Sequence, residues 1–297
     1  MNNKIEFLGI GAARSGSTWL WSVLKQHPEI WMPPIKELHY FDRSTDYPSP
    51  SMLADDHFID RFLGKEKNNA AFRLLLFRSL GKTVLYPQKW GELGWKLRYF
   101  FGTCNDKWYL SLFDVKKKAT KGEITPAYSI LSREDVHQVH ALLPNLKIIY
   151  LIRNPMDRAW SAIRYRWARE TIDINNFEDV IQKIDSPSQA HRSDYFRTIR
   201  NWTSSFSKPQ FQIYFFDDII VQPQHLIEKI LTFLEVDPTL PIPIEKLTAK
   251  VNASQEKLIP EKVKHYLAQK YYSEVKELIP IVGGYSEDWL KKIEENL

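Results

Sequence analysis

The chain of 297 residues is long enough for one large α/β domain or two small ones, and its 43% hydrophobic and 26% charged residues are typical of a soluble globular protein. Its net charge of +5 comes from dispersed basic residues, without a zinc-finger spacing or a Lys/Arg block. An anionic small ligand explains this charge as well as nucleic acid does, and we expect no nucleic-acid partner. No apolar run approaches the ~20 residues that a membrane span needs, so we expect no membrane partner either.

The single cysteine bears on the compartment of the protein. Cys104 cannot form an intrachain disulfide, which is typical of a reducing compartment. Because it has no sequence partner for catalysis, we predict that it is a buried thiol. The sequence enters an apolar strand at Ile5, which leaves no room for a signal peptide, and we expect a cytoplasmic protein.

The first segment with a clear pattern is a strand, a turn and a helix. An apolar strand runs from Ile5 to Ile10, the chain breaks at Gly11, and a helix resumes near Ser17 with apolar residues at i, i+3 and i+4. The free N–H groups of a helix N-terminus, together with the helix dipole, favour negative charge. The pattern therefore predicts an anion cradle between the strand and the helix.

The cradle can be compared with the nucleotide-binding P-loop, G-x-x-x-x-G-K-[ST]. Gly11, Gly16 and Thr18 fit that pattern, but Ser17 stands at the position of the lysine. A cation is present instead inside the loop, at Arg14. An NTPase uses the missing lysine on its β- and γ-phosphates, so the cradle indicates a different phosphate-like ligand.

A second strand carries the other half of the predicted site. The run Lys147–Ile152 is apolar throughout its length, as expected of a parallel strand covered on both faces. It ends in Arg153 where an NTPase would have an acidic residue for Mg²⁺, and Asn154 and Pro155 then start a helix that carries Ser161. The pattern predicts an anion site at the end of this strand without a metal.

The segment Met32–Asp42 combines two adjacent prolines with several charges. The prolines exclude a central strand, so we expect an ordered loop. Leu38, Tyr40 and Phe41 interleave with the charged residues and would anchor the loop on the core. The ionisable residues of this loop are Lys36, Glu37, His39 and Asp42.

The rest of the chain alternates helices and strands. Residues 52–118 are mainly helical and rich in aromatic residues, most of which we expect in the core and some in a substrate cleft. We predict one domain over residues 1–297, an α/β three-layer sandwich with a mostly parallel central sheet, in which residues 45–118 are a helical, aromatic-rich insertion that would line the substrate side. The other predicted strands are 122–128 and 211–216, and the other predicted helices are 134–143, 188–206, 226–234 and 260–278.

Three segments together resemble the PAPS-dependent sulfotransferases, especially the bacterial enzymes similar to the heparan sulfate and carbohydrate group. Gly11–Thr18 is similar to their loop for the 5′-phosphosulfate, and Ile152–Ser161 to their 3′-phosphate motif. Lys36–Asp42 resembles the segment that contains their catalytic glutamate. Thr248–Lys257 is similar to their late loop, which closes over the nucleotide.

The resemblance implies a P-loop-NTPase-like fold and sulfonyl transfer from PAPS, without a metal, to a hydroxyl or amine of a small-molecule (secondary-metabolite) or carbohydrate acceptor. Glu37 would be the base, His39 would orient it or contact the acceptor, and Arg14 and Lys36 would stabilise charge on the leaving side. The implied nucleotide ligands are Arg14, Ser15, Gly16, Ser17, Thr18, Trp19, Arg153, Ser161 and Lys257.

Two positions depart from the family pattern. Arg14 stands where the cradle usually carries a lysine; arginine keeps the charge and makes forked contacts but donates a proton less readily. Ile124 stands where the glycosaminoglycan enzymes tend to have lysine, which weakens the case for a polyanionic polysaccharide acceptor.

Two other functions are compatible with a phosphate cradle. A P-loop kinase or NTPase would turn over ATP with Mg²⁺, and the absent lysine opposes it. A nucleotide-binding protein without catalysis would keep the cradle and lose the base, and the presence of Glu37 opposes that.

Overall fold

The structure is a computed structural model that describes residues 5–48, 52–115, 117–169, 172–243, 245, 247 and 257–297. A single sheet of five strands runs through it in the order β2-β3-β1-β4-β5, and every neighbouring pair is parallel. This confirms the predicted α/β class with a parallel sheet. The strands are β1 (Phe7–Gly11), β2 (Ile30–Trp31), β3 (Thr120–Ile124), β4 (Lys147–Ile152) and β5 (Phe211–Phe215).

Helices cover both faces of the sheet. They are α1 (Ser17–Leu24), α2 (Phe58–Leu63), α3 (Lys67–Leu85), α4 (Leu93–Phe101), α5 (Asp106–Ser111), α6 (Arg133–Leu142), α7 (Pro155–Trp167), α8 (Phe177–Ile184), α9 (Pro187–Ser193), α10 (Tyr195–Thr203), α11 (Phe216–Val221), α12 (Pro223–Phe233), α13 (Glu261–Val282) and α14 (Ser286–Glu294). Short 3₁₀ helices lie at Pro87–Glu92, Pro126–Ile130 and Lys208–Gln210.

The strand order places a crevice beside the central strand. From β1 the chain leads to β2 on one side of the sheet, whereas from β4 it leads to β5 on the other side. Ligands of open parallel sheets bind at the carboxyl ends of the strands where the order reverses in this way. The ends of β1 and β4 are therefore the expected place for a ligand.

Two buried clusters form the core, one on each face. Phe7, Trp19 and Leu20 pack with apolar residues of α12 on one face. The larger cluster, on the other face, includes most aromatic residues of α4 and α5, together with α6, α7 and α13. Cys104 belongs to it and is 1% exposed, which confirms the predicted buried thiol. None of the helices that the structure describes combines the length and the apolar character needed to cross a bilayer.

Several elements differ from the sequence-based prediction. The predicted helix 188–206 is in fact two helices, α9 and α10, because Asp194 ends the first and caps the second by accepting a hydrogen bond from the Arg197 amide at 2.8 Å. The helix that starts after Pro260 runs through Pro280 to Val282 instead of ending near Leu278. The edge strand β2 and the helices α8, α11 and α14 were not foreseen, and the predicted strand 122–128 ends at Ile124, because a 3₁₀ helix begins at Pro126.

Candidate active site

Three of the predicted site segments follow the carboxyl ends of parallel strands, and they therefore lie along the same edge of the sheet. The cradle follows β1, and the loop that contains Lys36–Asp42 follows β2. Arg153 follows β4, and Glu123 lies near the end of β3, which pairs with both β1 and β2. The topology thus gathers segments that are far apart in the sequence.

The cradle is a tight turn that opens the N-terminus of α1. Arg14 has φ 72° and Gly16 has φ 92°, both in the left-handed region, where glycine is favoured and arginine is strained. Gly16 is the N-cap of α1 and gives the helix no side-chain cap, and the N-terminus of a helix is a favourable place for an anion. Ser17 is the first residue of α1 and is buried, while Thr18 is partly exposed.

Two predicted nucleotide ligands are buried residues of this turn and helix. The side chain of Ser15 is fully buried. Trp19 lies in the apolar core, where its Nε1–H donates to the Leu247 carbonyl at 2.9 Å. The indole therefore anchors α1, and any contact of Trp19 with a nucleotide would be made by its backbone.

The structure brings together three of the residues expected to bind an anion. The Nε–H of Arg14 donates to Ser161 Oγ at 3.2 Å, and Arg153 Nη1–H donates to the Arg14 carbonyl at 3.3 Å. The Arg14 guanidinium lies 4.6 Å from the Tyr165 ring, and that of Arg153 lies 4.2 Å from the Phe216 ring. Aromatic faces hold a cation without neutralising it.

Neither of these arginines forms a close ion pair with a carboxylate of the described residues. Within the described part of the chain, neither Arg14 nor Arg153 has a carboxylate within 4.0 Å. Burial lowers the pKa of both guanidinium groups; Arg153 and Arg164 lower the pKa of Arg14 further, whereas Asp157, which lies beyond ion-pair distance, partly opposes the lowering at Arg153. Buried charges are normally paired, so convergent arginines without an acidic partner indicate an anionic ligand.

The loop after β2 has an unusual backbone at the residues predicted to act in catalysis. Glu37 has φ 64° and His39 has φ 55°. Among the described residues, four that are not glycine have positive φ, and Arg14, Glu37 and His39 are three of them. Such conformations cost on the order of 1–3 kcal/mol each and persist only where the surroundings hold them.

A buried carboxylate behind the loop provides that support. The Glu123 side chain is 1% exposed and accepts four hydrogen bonds, which oppose the rise in the pKa of Glu123 that burial causes. Sequence reasoning missed this residue, although an acid beside the apolar end of a buried strand was a usable signal. The donors are the Leu38 amide at 3.2 Å, the hydroxyls of Thr125 and Tyr109 at 2.7 Å, and the Tyr128 hydroxyl at 2.8 Å.

The same network fixes the amides on both sides of His39. Leu38 donates to Glu123 directly, and the Tyr40 amide donates to the Tyr128 hydroxyl at 3.0 Å, which in turn donates to Glu123. The Tyr40 ring also stacks on Tyr109, with 4.5 Å between ring centroids. Buried side chains thus hold the backbone of the loop in place.

We expect Glu123→Gln to lower the free energy of unfolding by about 1.5–3 kcal/mol, because an amide has one acceptor oxygen for donors that now share two. Urea unfolding measures this change. Tyr128→Phe is the matched control: it keeps Glu123 and removes only the hydroxyl that links it to Tyr40, so its loss should be smaller. Unchanged stability of Glu123→Gln would contradict the role of this network.

The four ionisable side chains of the loop form a chain of charges. Lys36 Nζ is ion-paired with Glu37 Oε1, and His39 Nε2 lies 3.6 Å from Glu37 Oε2. On its other side, His39 Nδ1 lies 2.7 Å from Oδ2 of Asp42, whose side chain is fully buried. His39 is therefore held between the carboxylates of Glu37 and Asp42.

These contacts set the protonation of the pair at neutral pH. Burial would raise the pKa of Glu37, but His39 and Lys36 outweigh it and lower this pKa to about 2. Burial would lower the pKa of His39, but Asp42 and Glu37 outweigh it and raise this pKa to about 10. Glu37 is thus a carboxylate, 37% exposed, beside an imidazolium.

The predicted late loop lies almost wholly outside the described residues, which resume at Lys257. Lys257 Nζ donates to Asn175 Oδ1 at 3.1 Å and lies 4.7 Å from the Trp167 ring, at the C-terminal end of α7. Its carbonyl accepts a hydrogen bond from Trp160, next to Ser161. Lys257 therefore packs along the helix that carries the Arg153 motif, and its contact with a nucleotide stays a prediction.

The known proteins to which this chain is similar are sulfotransferases. The family model described as "Sulfotransferase domain" matches residues 5–292. A sulfotransferase from Alicyclobacillus acidocaldarius is similar with a TM-score of 0.65 and 19% identity, over 96% of this chain and 98% of that one. The sulfotransferase domain from the curacin biosynthetic pathway gives a TM-score of 0.49, 19% identity and coverage of 86% and 82%. Mouse sulfotransferase SULT7A1, solved in complex with PAP, gives a TM-score of 0.45 and 13% identity, over 98% of this chain and 89% of that one.

The first of these structural similarities supports the fold, and the family match extends over nearly the whole chain. Together with the parallel sheet they confirm the predicted P-loop-NTPase-like α/β architecture. The chain belongs to the sulfotransferase domain family.

Proposed function

We propose that this sulfotransferase uses PAPS as its donor, transfers the sulfonyl group to a hydroxyl or amine of a small-molecule or carbohydrate acceptor, and releases PAP. The observation that carries this proposal is the pair of guanidinium groups of Arg14 and Arg153, joined through the Arg14 carbonyl and without a carboxylate partner among the described residues. PAPS has two anionic ends that such a pair suits.

The residues present fit both ends of this donor. The first turn of α1 and Arg14 would hold the 5′-phosphosulfate, and Arg153 with Ser161 would hold the 3′-phosphate. When bound, PAPS supplies the sulfonyl group and a phosphate leaving group. Positioning and charge stabilisation are then the main tasks of the protein, by analogy with phosphoryl transfer.

The catalytic roles follow from the loop after β2. Glu37 would accept the proton that the acceptor loses as its oxygen or nitrogen bonds to sulfur, and His39, held by Asp42, would orient Glu37. Arg14 and the N–H groups of α1 would stabilise the charge that develops on the departing phosphate oxygen. Lys36 is engaged with Glu37, so its predicted role on the leaving side requires that its ammonium turn away from Glu37.

The decisive experiment has two parts. Thermal-shift titrations with PAP and with ATP plus Mg²⁺ separate a sulfotransferase from a kinase or NTPase; we expect a larger stabilisation by PAP. Mass spectrometry of an extract incubated with protein and PAPS should then show a compound that has gained one SO₃ group. Stabilisation by PAP without any such gain would indicate a nucleotide-binding protein without catalysis.

We expect turnover to survive EDTA. The lysine position of a P-loop is Ser17, and the residue after β4 is Arg153 instead of an acid that would hold Mg²⁺. The measurement is the initial rate with and without chelator. Activity that is abolished by EDTA and restored by Mg²⁺ would favour the NTPase function.

The pH profile of kcat/KM tests the protonation states of Glu37 and His39. Because the pKa of Glu37 is lowered to about 2 and that of His39 is raised to about 10, neither group changes its charge near neutral pH. On the alkaline side, kcat/KM should fall as His39 loses its proton near pH 10. Asp42→Asn removes the largest influence that raises the His39 pKa and should move the alkaline limb to lower pH. An alkaline limb that is the same in both proteins would contradict this assignment.

A further inference from the structure

The helix α3 is apolar on two opposite faces. Phe72 and Leu76 point into the core. On the other side, the exposed fractions are 50% for Leu74, 61% for Phe77, 72% for Val84 and 74% for Leu85. These four residues, here called the outer face of α3, follow the helical spacing of one stripe. Large apolar side chains that are exposed on the face of a helix away from the core are candidates for contact with another surface.

The apolar stripe is followed by two exposed aromatic residues. Tyr86 is 49% exposed and Trp90 is 61% exposed in the turn that follows α3. Isolated exposed apolar residues are ordinary, but several on one helix face, followed by exposed aromatic residues, indicate an interaction surface. Tyr and Trp are the residues enriched where a protein meets the headgroup layer of a bilayer.

The charge of α3 itself is one-sided, since the acid nearest its start is its N-cap, Glu66. Residues 67–101 contain one acid, Glu92, and it is paired with Lys96. The helical spacing places Lys67, Arg78 and Lys82 along one border of the outer face of α3, and all three are exposed. The basic residues of the segment are Lys67, Arg73, Arg78, Lys82, Lys89, Lys96 and Arg98.

The basic border of the outer face of α3 distinguishes between two possible binding partners, a second copy of the chain and an anionic lipid surface. In a two-fold contact with a second copy, the same patch would face itself and bring the like charges of Arg78 and Lys82 together, which is unfavourable. An anionic lipid surface instead satisfies the basic border and the apolar stripe at once, as it does for amphipathic helices that lie in the interface.

We propose that the outer face of α3 binds the surface of an anionic phospholipid bilayer, with the apolar stripe in the interface and the basic border on the headgroups. The proposal differs from the sequence-based expectation of no membrane partner, which rested on the lack of a spanning segment. A helix that lies on a membrane needs no such segment. The proposal goes beyond sulfonyl transfer and does not depend on it.

The test is co-sedimentation of the full chain with vesicles of phosphatidylcholine alone and of phosphatidylcholine mixed one to one with phosphatidylglycerol. We expect binding to the anionic vesicles, weaker binding to the neutral ones, and a loss of binding as salt is raised. Arg78→Gln combined with Lys82→Gln should lower the partition coefficient about 30-fold, from ~1 kcal/mol for each cation at the surface.

An apolar variant and a matched control distinguish binding through the outer face of α3 from non-specific hydrophobic adsorption. Phe77→Ser combined with Val84→Ser should lower partitioning at least about tenfold, because both side chains lose burial in the interface. Ile220→Ser combined with Val221→Ser changes two residues of α11 that are each 70% exposed, and it should bind like the unchanged protein. Circular dichroism checks that each variant is folded.

Three results would overturn the proposal. The first is no co-sedimentation with either kind of vesicle. The second is a dimer in light scattering that Phe77→Ser with Val84→Ser abolishes, which would make the occupant a second copy. The third is binding to polyglutamate as tight as to vesicles and unaffected by the apolar variant, which would indicate an acidic protein partner recognised by charge alone.

Discussion

Glu37→Gln is expected to lower kcat about 10²–10⁴-fold, the usual contribution of a positioned base, and to leave the affinity for PAP nearly unchanged. The substitution keeps the shape of the side chain and removes its ability to take a proton. In the proposed assignment the nucleotide is bound by Arg14, Arg153 and α1, which Glu37 does not touch. Initial rates and PAP titrations on the same preparations measure both quantities.

The ion pair with Lys36 affects the strength of Glu37 as a base. A carboxylate whose pKa is about 2 is a weak base at neutral pH, because a general base works best with a pKa near the operating pH. Lys36 is one of the two cations that lower this pKa. If Lys36 moves toward the leaving group, the pKa of Glu37 rises and the carboxylate becomes a better base.

The chain offers a matched control for this experiment. Glu235 also has a left-handed backbone, with φ 59°, and is also paired with a lysine, Lys147, but it lies outside the site and is 82% exposed. Glu235→Gln should leave kcat unchanged. Near-full turnover by Glu37→Gln would place the base elsewhere, and His39 is a poor substitute because its raised pKa keeps it protonated. A simultaneous collapse of PAP binding would make Glu37 a structural member of the loop.

Features with a local signature could be predicted from the sequence. The strand Lys147–Ile152 is found with the predicted bounds, and Asn154 caps α7 by accepting a hydrogen bond from the Met156 amide at 3.0 Å. The meeting of Arg14 with Ser161 was also predictable, because both follow the ends of parallel strands and resemble parts of one nucleotide site. Short-range patterns of charge, glycine and proline carry this information.

What escaped prediction depends on contacts between distant parts of the chain. Glu123 supports Leu38 across 85 positions in the sequence, and no local pattern reveals that bond. Asp42 was recognised as ionisable, but its complete burial against His39 is a tertiary property. The two-residue strand β2 is too short to carry an alternation of its own and forms by pairing with β3. The outer face of α3 likewise becomes apparent only once the buried side of the helix is known.

Arg153→Ala is expected to weaken PAP binding by about 1.5–3 kcal/mol, or about 10–150-fold, the range for a hydrogen bond to a charged group. Binding of adenosine 5′-phosphosulfate, which lacks the 3′-phosphate, should change little. Arg153→Lys should recover part of the loss, since an ammonium keeps the charge but not the forked geometry. Isothermal titration of both nucleotides with both variants gives the comparison.

The two nucleotides also separate a ligand role of Arg153 from a structural one. Arg153 donates to the Arg14 carbonyl at 3.3 Å, so its removal could loosen the cradle itself. A looser cradle would weaken PAP and adenosine 5′-phosphosulfate alike, because both place a phosphate group against α1. An equal loss for the two nucleotides would therefore reassign Arg153 as a support of the Arg14 turn. A loss confined to PAP would identify the Arg153 guanidinium, which lies over Phe216 with no carboxylate within 4.0 Å among the described residues, as the group that binds the 3′-phosphate.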